Sequence, residues 1–309
     1  MKTKWKITPY LFLLPALVIV VAFRLIPIVM SFVLSFFDWS LQGTGRFIGL
    51  ENYATMIHDP VFWQSLGNTF WLVVILVPAT IVFSLFFAVL LNQIKYLKSL
   101  FRMVYFMPFV TSLVAVSIVW KLMFNEQTGL INTFLGYIGI APQAWLAEPK
   151  GIFLLMFPAL ESLPRFFHGP SQALFAIIIM TVWKGLGYNT IIYLAGLQNI
   201  SKTYYEAAEM DGASKFRQFW NVTVPLISPT TFYVLIMTTI TSFQTFSQIY
   251  LMTNKGGPLN STKLIVYYIY ERGFDLLEMG YASAVALALF VLILTLTIFQ
   301  RKMEKHVNY

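Results

Sequence analysis

The sequence predicts an all-α, polytopic membrane protein with about six transmembrane helices, and three observations carry that prediction. The 309 residues are 58% hydrophobic and 17% aromatic, with a mean hydropathy of +0.71. Only 11% are charged, against roughly 25% in soluble domains, so too little polar surface exists to clothe a water-exposed globule. Finally, six mostly apolar runs reach the roughly 20 residues that a bilayer core requires of a helix.

Those runs lie near 10–37, 66–92, 103–124, 171–197, 230–252 and 279–300. The first follows Lys2, Lys4 and Lys6 in the manner of a signal peptide. Its apolar stretch is too long for one and lacks a small-residue cleavage site before Asp38, so the reading is a retained span. Pro27, Pro78 and Pro108 fall inside spans, where neighbouring helices can re-satisfy the freed backbone groups, and they predict kinks. The 125–170 stretch is a long loop, and within it the apolar run 151–160 is about half the length needed to cross, which predicts an interfacial or re-entrant element. No repeat, low-complexity tract or linker divides the chain, so residues 1–309 read as one transmembrane domain.

Charge sets the orientation. With six spans both termini share a side, and one choice places twelve of the 21 Lys and Arg there: Lys2, Lys4, Lys6, Lys95, Lys98, Arg102, Lys202, Lys215, Arg217, Arg301, Lys302 and Lys305. Arg46, Lys121, Lys150, Arg165, Lys255, Lys263 and Arg272 face the other way, while Arg24 and Lys184 fall within spans. The positive-inside rule then assigns both termini and the 198–229 loop to the cytoplasm. In a membrane protein the net charge of +8 marks such loops rather than nucleic-acid binding.

The 198–229 loop has a helix pattern of its own. Ser201 followed by Tyr205, Glu206, Ala207, Ala208 and Glu209 predicts a short capped helix, stopped at Gly212, where a positive φ is free of penalty. A second helix is expected from Ala213 to Val222, broken by Pro225. Small Ala207 and Ala208 allow close approach of a partner, and Glu206, Glu209 and Asp211 offer acceptors to partner Arg or Lys.

This pattern resembles the EAA motif of ABC importer permeases, in which Glu-Ala-Ala, a following Gly and a distal Pro form the coupling helix. Glu206, Ala207, Ala208, Asp211, Gly212, Ala213 and Pro225 carry the match, although the family's usual Ile-x-Leu-Pro stands here as Val222-Thr223-Val224-Pro225. Other stretches in the same order, among them Gly49-Leu50-Glu51-Asn52-Tyr53, Gly187-Tyr188-Asn189, Gly256-Gly257-Pro258 and Gly280-Tyr281-Ala282-Ser283-Ala284, are similar to the carbohydrate-uptake branch of MalF and UgpA type. The resemblance implies a type I permease fold in a bacterial or archaeal cytoplasmic membrane. It implies a second homologous permease, a cytoplasmic ABC ATPase dimer that binds ATP and Mg, an extracytoplasmic solute-binding protein and a sugar substrate. The sequence contains no G-x-x-x-x-G-K-[ST] loop, so ATP hydrolysis is expected on another chain. No cofactor is expected on this one.

Polar residues inside spans line a pathway or glue helices together. Thr238, Thr241, Ser242, Thr245 and Gln248 recur at helical steps in the fifth span, with Phe243, Phe246 and Tyr250 nearby. Hydroxyls with aromatics suit a sugar, and helix glue is the competing reading for each Ser or Thr. In the fourth span Thr181, Lys184 and Tyr188 stand at i, i+3 and i+7, with Asn189 adjacent and Gly185 and Gly187 opening room for a ligand. Lys184 either contacts substrate or is snorkelling or paired, and Arg24 is read as paired or snorkelling. The alternative solute is an acidic sugar or glycerol phosphate, which a lysine could hold by charge. His58, His168 and His306 are scattered, which speaks against a metal site, and the absence of cysteine excludes disulfides and thiol catalysis. A secondary transporter would carry intramembrane carboxylates, and an intramembrane enzyme a catalytic set; neither pattern is present in the sequence.

Overall fold

The computed structural model describes residues 8–43, 45–94, 96 and 98–307. Lys2, Lys4, Lys6 and Lys95 of the charge count, and the side chains of Lys98, Arg102, Lys305 and His306, lie outside the described residues. The helices in order are α1 (Thr8–Val20), α2 (Ile26–Leu34), α3 (Glu51–His58), α4 (Pro60–Gln93), α5 (Lys98–Val110), α6 (Leu113–Met123), α7 (Leu130–Tyr137), α8 (Ile152–Met156), α9 (Gln172–Gln198), α10 (Lys202–Met210), α11 (Lys215–Gln218), α12 (Val224–Leu226), α13 (Ser228–Phe243), α14 (Ser247–Met252), α15 (Ile265–Tyr270) and α16 (Met279–Val307). A two-residue hairpin, β1 (Phe37–Asp38) with β2 (Arg46–Phe47), is the sheet.

Among the described residues four helical stretches are long and apolar enough to cross a bilayer: Tyr10–Leu34, Pro60–Gln93, Gln172–Gln198 and Met279–Glu304. Counting each of two bent pairs as one span brings the number to six. Met103–Val110 and Leu113–Met123 meet at 101°, and Lys215–Leu226 and Ser228–Phe243 at 64°. Each proline acts differently. Pro78 sits inside an unbroken α4, Pro27 falls in the first turn of α2 behind a π-helical stretch at Val21–Leu25, and Pro108 lies just before the 101° break. Arg24 is exposed in that π-helical stretch.

Two expectations need correction. The fifth span does not run unbroken to Met252, because α13 ends at Phe243 and the chain turns through Phe246 (φ −133°, ψ −61°) into α14. The second loop helix is not stopped by Pro225. A π-helical stretch at Phe219–Thr223 connects α11 to α12, and the Val224 amide reaches back to the Phe219 carbonyl. Pro225 sits in the first turn of α12, directly after that π-helical stretch. The bend follows at Ile227 and Pro229.

The described residues fall into two compact units, within Met1–Asp59 with Ile269–Leu292 and within Pro60–Tyr268 with Ile293–Tyr309. In the first, the Asp59 carboxylate accepts from Arg272 (2.7 Å) and from the Tyr281 hydroxyl (3.1 Å), while Arg272 also reaches Glu278 (2.9 Å). Asn52 donates to the carbonyls of Ser35 (2.9 Å) and Phe37 (3.0 Å). A side chain at Gly280 would collide with the Phe37 carbonyl, so that close approach needs glycine.

In the second unit α4 packs along α9, and Ala88 and Leu91 meet Tyr193, Leu194, Leu197 and Ile227 in a buried cluster. The 125–170 stretch forms α7, α8 and short 3-10 turns, all too short to span a bilayer, and its second part closes on itself where Gly151 pairs with Ser171. Buried Asn132 knits its base, donating to the carbonyls of Glu126 (3.0 Å) and Gln143 (2.8 Å) and accepting from the Trp145 indole (2.8 Å).

Gly185 and Gly187 do not share a role. A Cβ at Gly185 would meet only the Asn189 amide at 3.8 Å, an ordinary contact, whereas one at Gly187 would strike the Tyr105 carbonyl, so its missing side chain admits the α5 backbone rather than a ligand. Gly187→Ala is expected to destabilise the protein by about 1–3 kcal/mol through overpacking. Gly185→Ala should be neutral or stabilising by about 0.5–1 kcal/mol. Thermal unfolding of the two purified variants checks the contrast, and equal losses would refute it.

Candidate functional site

The polar stripes of α9 and α13 open on one cavity of about 300 Å³. Thr181, Lys184, Gly185, Tyr188 and Asn189 line it from α9, Thr238, Thr241 and Ser242 from α13, and Thr245 and Gln248 from the turn into α14. The helical period brings the α9 residues to one face, and the break after Phe243 folds Thr245 and Gln248 back onto the same space. Phe243 is buried instead of lining the cavity, because one step along a helix turns a side chain by about 100° from Ser242. Phe246 and Tyr250 also lie off it and stack on each other with ring centroids 5.7 Å apart.

The hydrogen-bond inventory determines what the cavity presents. Thr181 donates to the Ile177 carbonyl (2.8 Å), Thr241 to the Met237 carbonyl (2.9 Å), Ser242 to the Thr238 carbonyl (2.6 Å), and the Asn189 amide to the Gly185 carbonyl (3.0 Å). With these protons engaged inside their own helices, the side-chain oxygens remain as acceptors. On one wall Phe109 and Tyr188 stack with centroids 4.9 Å apart and planes 20° from parallel.

Lys184 is a lining residue with a structural task. Its ammonium donates to the carbonyls of Pro108 (3.0 Å), Phe109 (3.3 Å) and Thr111 (2.7 Å), which are the groups left open where α5 stops. An ammonium has three protons, and all three are engaged.

Leu76, Thr80, Phe109 and Leu113 complete the lining and were not singled out from the sequence. For Thr80 a signal exists: Ser65, Thr69, Thr80, Ser84 and Ala88 recur on the buried side of α4 at multiples of about one turn. The Thr80 hydroxyl is buried without a partner at the cavity edge.

The second candidate site is the 198–229 loop. Ser201 caps α10 by accepting the Thr203 amide (3.4 Å), and Gly212 (φ +73°) ends it, with the Ala213 amide reaching back to the Ala208 carbonyl (2.9 Å). Three contacts latch the two helical arms. Tyr205 and Thr223 pair through their hydroxyls (3.1 Å), the buried Gln218 amide donates to the Ala213 carbonyl (3.1 Å), and Lys215 pairs with Glu209. Glu206, Ala207, Asp211 and Gly212 are exposed, as are Tyr204, Phe216, Trp220 and Met210, the last at 90%. Pro225 lies past the latch, in α12. An exposed cluster of large apolar side chains beside acceptors has the composition of an interaction surface.

Of the histidines, His58 is exposed on α3 and His168 donates to the carbonyls of Leu160 (3.1 Å) and Leu163 (3.0 Å).

The family model for the binding-protein-dependent transport system inner membrane component matches residues 80–309. This chain belongs to that family. The lactose transport system permease protein LacF of Rhizobium radiobacter is 36% identical over 97% of this permease and 95% of its own length. The arabinooligosaccharides transport system permease protein AraP of Bacillus subtilis is 32% identical over 97% of the permease and 89% of its own length. A solved bacterial alginate ABC transporter, in complex with its alginate pentasaccharide-bound periplasmic protein, shares the fold: TM-score 0.78 at 21% identity, covering 97% of this permease and 94% of that chain. The matched family region contains the loop and the cavity lining apart from Leu76.

In the loop, Lys215 holds the Glu209 carboxylate below its ordinary range by hydrogen bonding and charge, with Gln218 adding to the effect. A carboxylate with a lowered folded pKa contributes stability above its unfolded pKa and loses it as pH falls through the folded value. The permease is therefore expected to keep the α10–α11 latch through mild acid and to loosen it only as pH falls below the ordinary carboxylate range. Amide exchange of loop peptides should quicken as pH falls below the usual carboxylate range, and Glu209→Gln should be fast and flat. Wild-type exchange corrected for intrinsic rate that does not change with pH would count against the latch.

Proposed function

We propose that this permease is the membrane-spanning subunit of an ATP-driven sugar or oligosaccharide importer, and that the α9–α13 cavity is where the sugar passes. The observation that carries the reading is a cavity lined by hydroxyl and amide groups, mostly acceptors with donors left on Thr80 and Asn189, beside a stacked aromatic pair. A neutral polyol brings the complementary groups, hydroxyl donors for the acceptors and C–H faces for the rings. The names of LacF and AraP support a carbohydrate. Engagement of all three Lys184 protons favours a neutral sugar over an acidic sugar or glycerol phosphate in this cavity.

A second, similar permease completes the path and an extracytoplasmic binding protein delivers the sugar, in keeping with the family description and the periplasmic protein bound to the alginate transporter. ATP and Mg are bound by a cytoplasmic ATPase pair, because this chain has no phosphate loop. The 198–229 loop docks there, with Tyr205, Glu206, Ala207, Ala208, Asp211, Gly212, Ala213 and Pro225 forming the coupling segment and its exposed Met210 and Phe216 supplying apolar anchors. Both termini lie in the cytoplasm on the Lys and Arg count.

Two measurements test this. Ser242→Val combined with Thr245→Val removes two neutral partners, about 1–3 kcal/mol together, so half-saturating sugar should rise about five- to a hundredfold at matched abundance. Lys184→Met should lower the amount of folded transporter and leave the sugar dependence of what remains. The reverse pattern would move recognition to Lys184 and an acidic solute.

For orientation, a cysteine at Ser214 in this cysteine-free chain should resist an impermeant thiol reagent in intact cells, and one at Asn260 should react. Opposite labelling overturns the orientation.

A further inference from the structure

A second cavity of about 780 Å³ lies within the Pro60–Tyr268 unit, where the 149–171 stretch folds over the first turns of α4. Its floor is aromatic: Trp63 and Trp71 from α4, with Phe166. The Trp71 indole donates to the Phe166 carbonyl (3.2 Å), and its ring lies against Phe166 (5.4 Å) and Phe153 (5.5 Å). The shelf is therefore held in place. Gln64 and Asn68 use their amide N–H groups on the carbonyls of Leu259 (2.8 Å), Asn260 (2.9 Å) and Lys263 (3.0 Å), which leaves their oxygens as acceptors.

The charge is one-sided. Lys150 and Arg165 are exposed on the rim, and no Asp or Glu is among the lining residues. Glu148, two residues from Lys150, accepts the Lys150 amide (2.9 Å) and lies off the lining. The volume falls within the roughly 300–1,000 Å³ of small-molecule sites.

We propose that this cavity binds an acidic saccharide, with ring faces on the Trp71 shelf, hydroxyls on the Gln64 and Asn68 oxygens, and the carboxylate at Lys150 and Arg165. It is a site apart from the α9–α13 cavity, and it rests on the sugar-import reading only for the choice of a saccharide among anions. A lipid headgroup would satisfy the cations alone. The amide acceptors and the fixed ring shelf address a polyhydroxylated ring.

The test uses the full chain, with any subunits that copurify, in nanodiscs with and without phosphatidylglycerol, titrated calorimetrically with trigalacturonate and maltotriose. Trigalacturonate is expected to bind saturably, more weakly as salt rises, and at least about tenfold tighter than maltotriose. Lys150→Met with Arg165→Met, checked for folding by size exclusion, should weaken it about tenfold or more. Ser242→Val with Thr245→Val should leave it unchanged. Absence of saturable binding, indifference to the Lys150 and Arg165 changes, or loss in the Ser242 and Thr245 variant would each overturn the proposal. Retention of phosphatidylglycerol that depends on Lys150 and Arg165, without a saccharide effect, would identify a lipid site instead. Neutral-sugar uptake is read separately, so failure here leaves the importer reading standing.

Discussion

The contact on which the membrane-embedded architecture depends is the Lys184 ammonium on the carbonyls of Pro108, Phe109 and Thr111. A helix that stops at membrane depth leaves its last carbonyls without intrahelical partners, and they must be satisfied by protein groups or by a polar cavity. At the 101° break between α5 and α6, a cation on α9 supplies three charge-assisted bonds at the negative end of the α5 dipole. The same contact removes the cost of a bare charge in the membrane. One interaction thus resolves two liabilities, and it fixes Phe109 opposite Tyr188 at the cavity wall.

From that point α9 divides its faces. Its buried side, through Gly187, Tyr193, Leu194 and Leu197, meets α4 and the α5 backbone in close contact. Its other side, through Thr181, Gly185 and Tyr188, faces the acceptor-lined space. A tightly packed seam is what lets the polar side keep its shape, because interiors at crystal-like density do not deform continuously. In the loop the same economy holds on a smaller scale: Tyr205, buried Gln218 and the exposed Glu209–Lys215 pair latch the arms, and Glu206, Met210 and Phe216 are left outward.

Much of this was legible in the sequence, for physical reasons. Bilayer thickness sets span length, so six apolar runs were countable. The helical period placed Thr181, Lys184 and Tyr188 together, and Thr238 with Ser242. Ser201 and Gly212 marked the ends of α10 by their chemistry. What escaped depends on contacts distant in the chain. Pro108 signals that a helix is disturbed but not whether it bends or stops, since the cap that permits a stop comes from α9. Nothing local tells Gly185 from Gly187; the difference is the Tyr105 carbonyl. Phe243 falls off the cavity because a one-residue step from Ser242 turns a side chain by about 100° around the helix. The π-helical stretch before Pro225 likewise has no local signature.

The most direct test of this account is a structure of the assembled transporter with its sugar bound. Sugar density is expected between α9 and α13, with hydroxyls at the oxygens of Asn189, Ser242 and Thr245 and a ring near Phe109 and Tyr188. Lys184 should still rest on the three carbonyls of the α5 end. A Lys184 ammonium swung away from those carbonyls onto the sugar, or a path that bypasses this cavity, would contradict it.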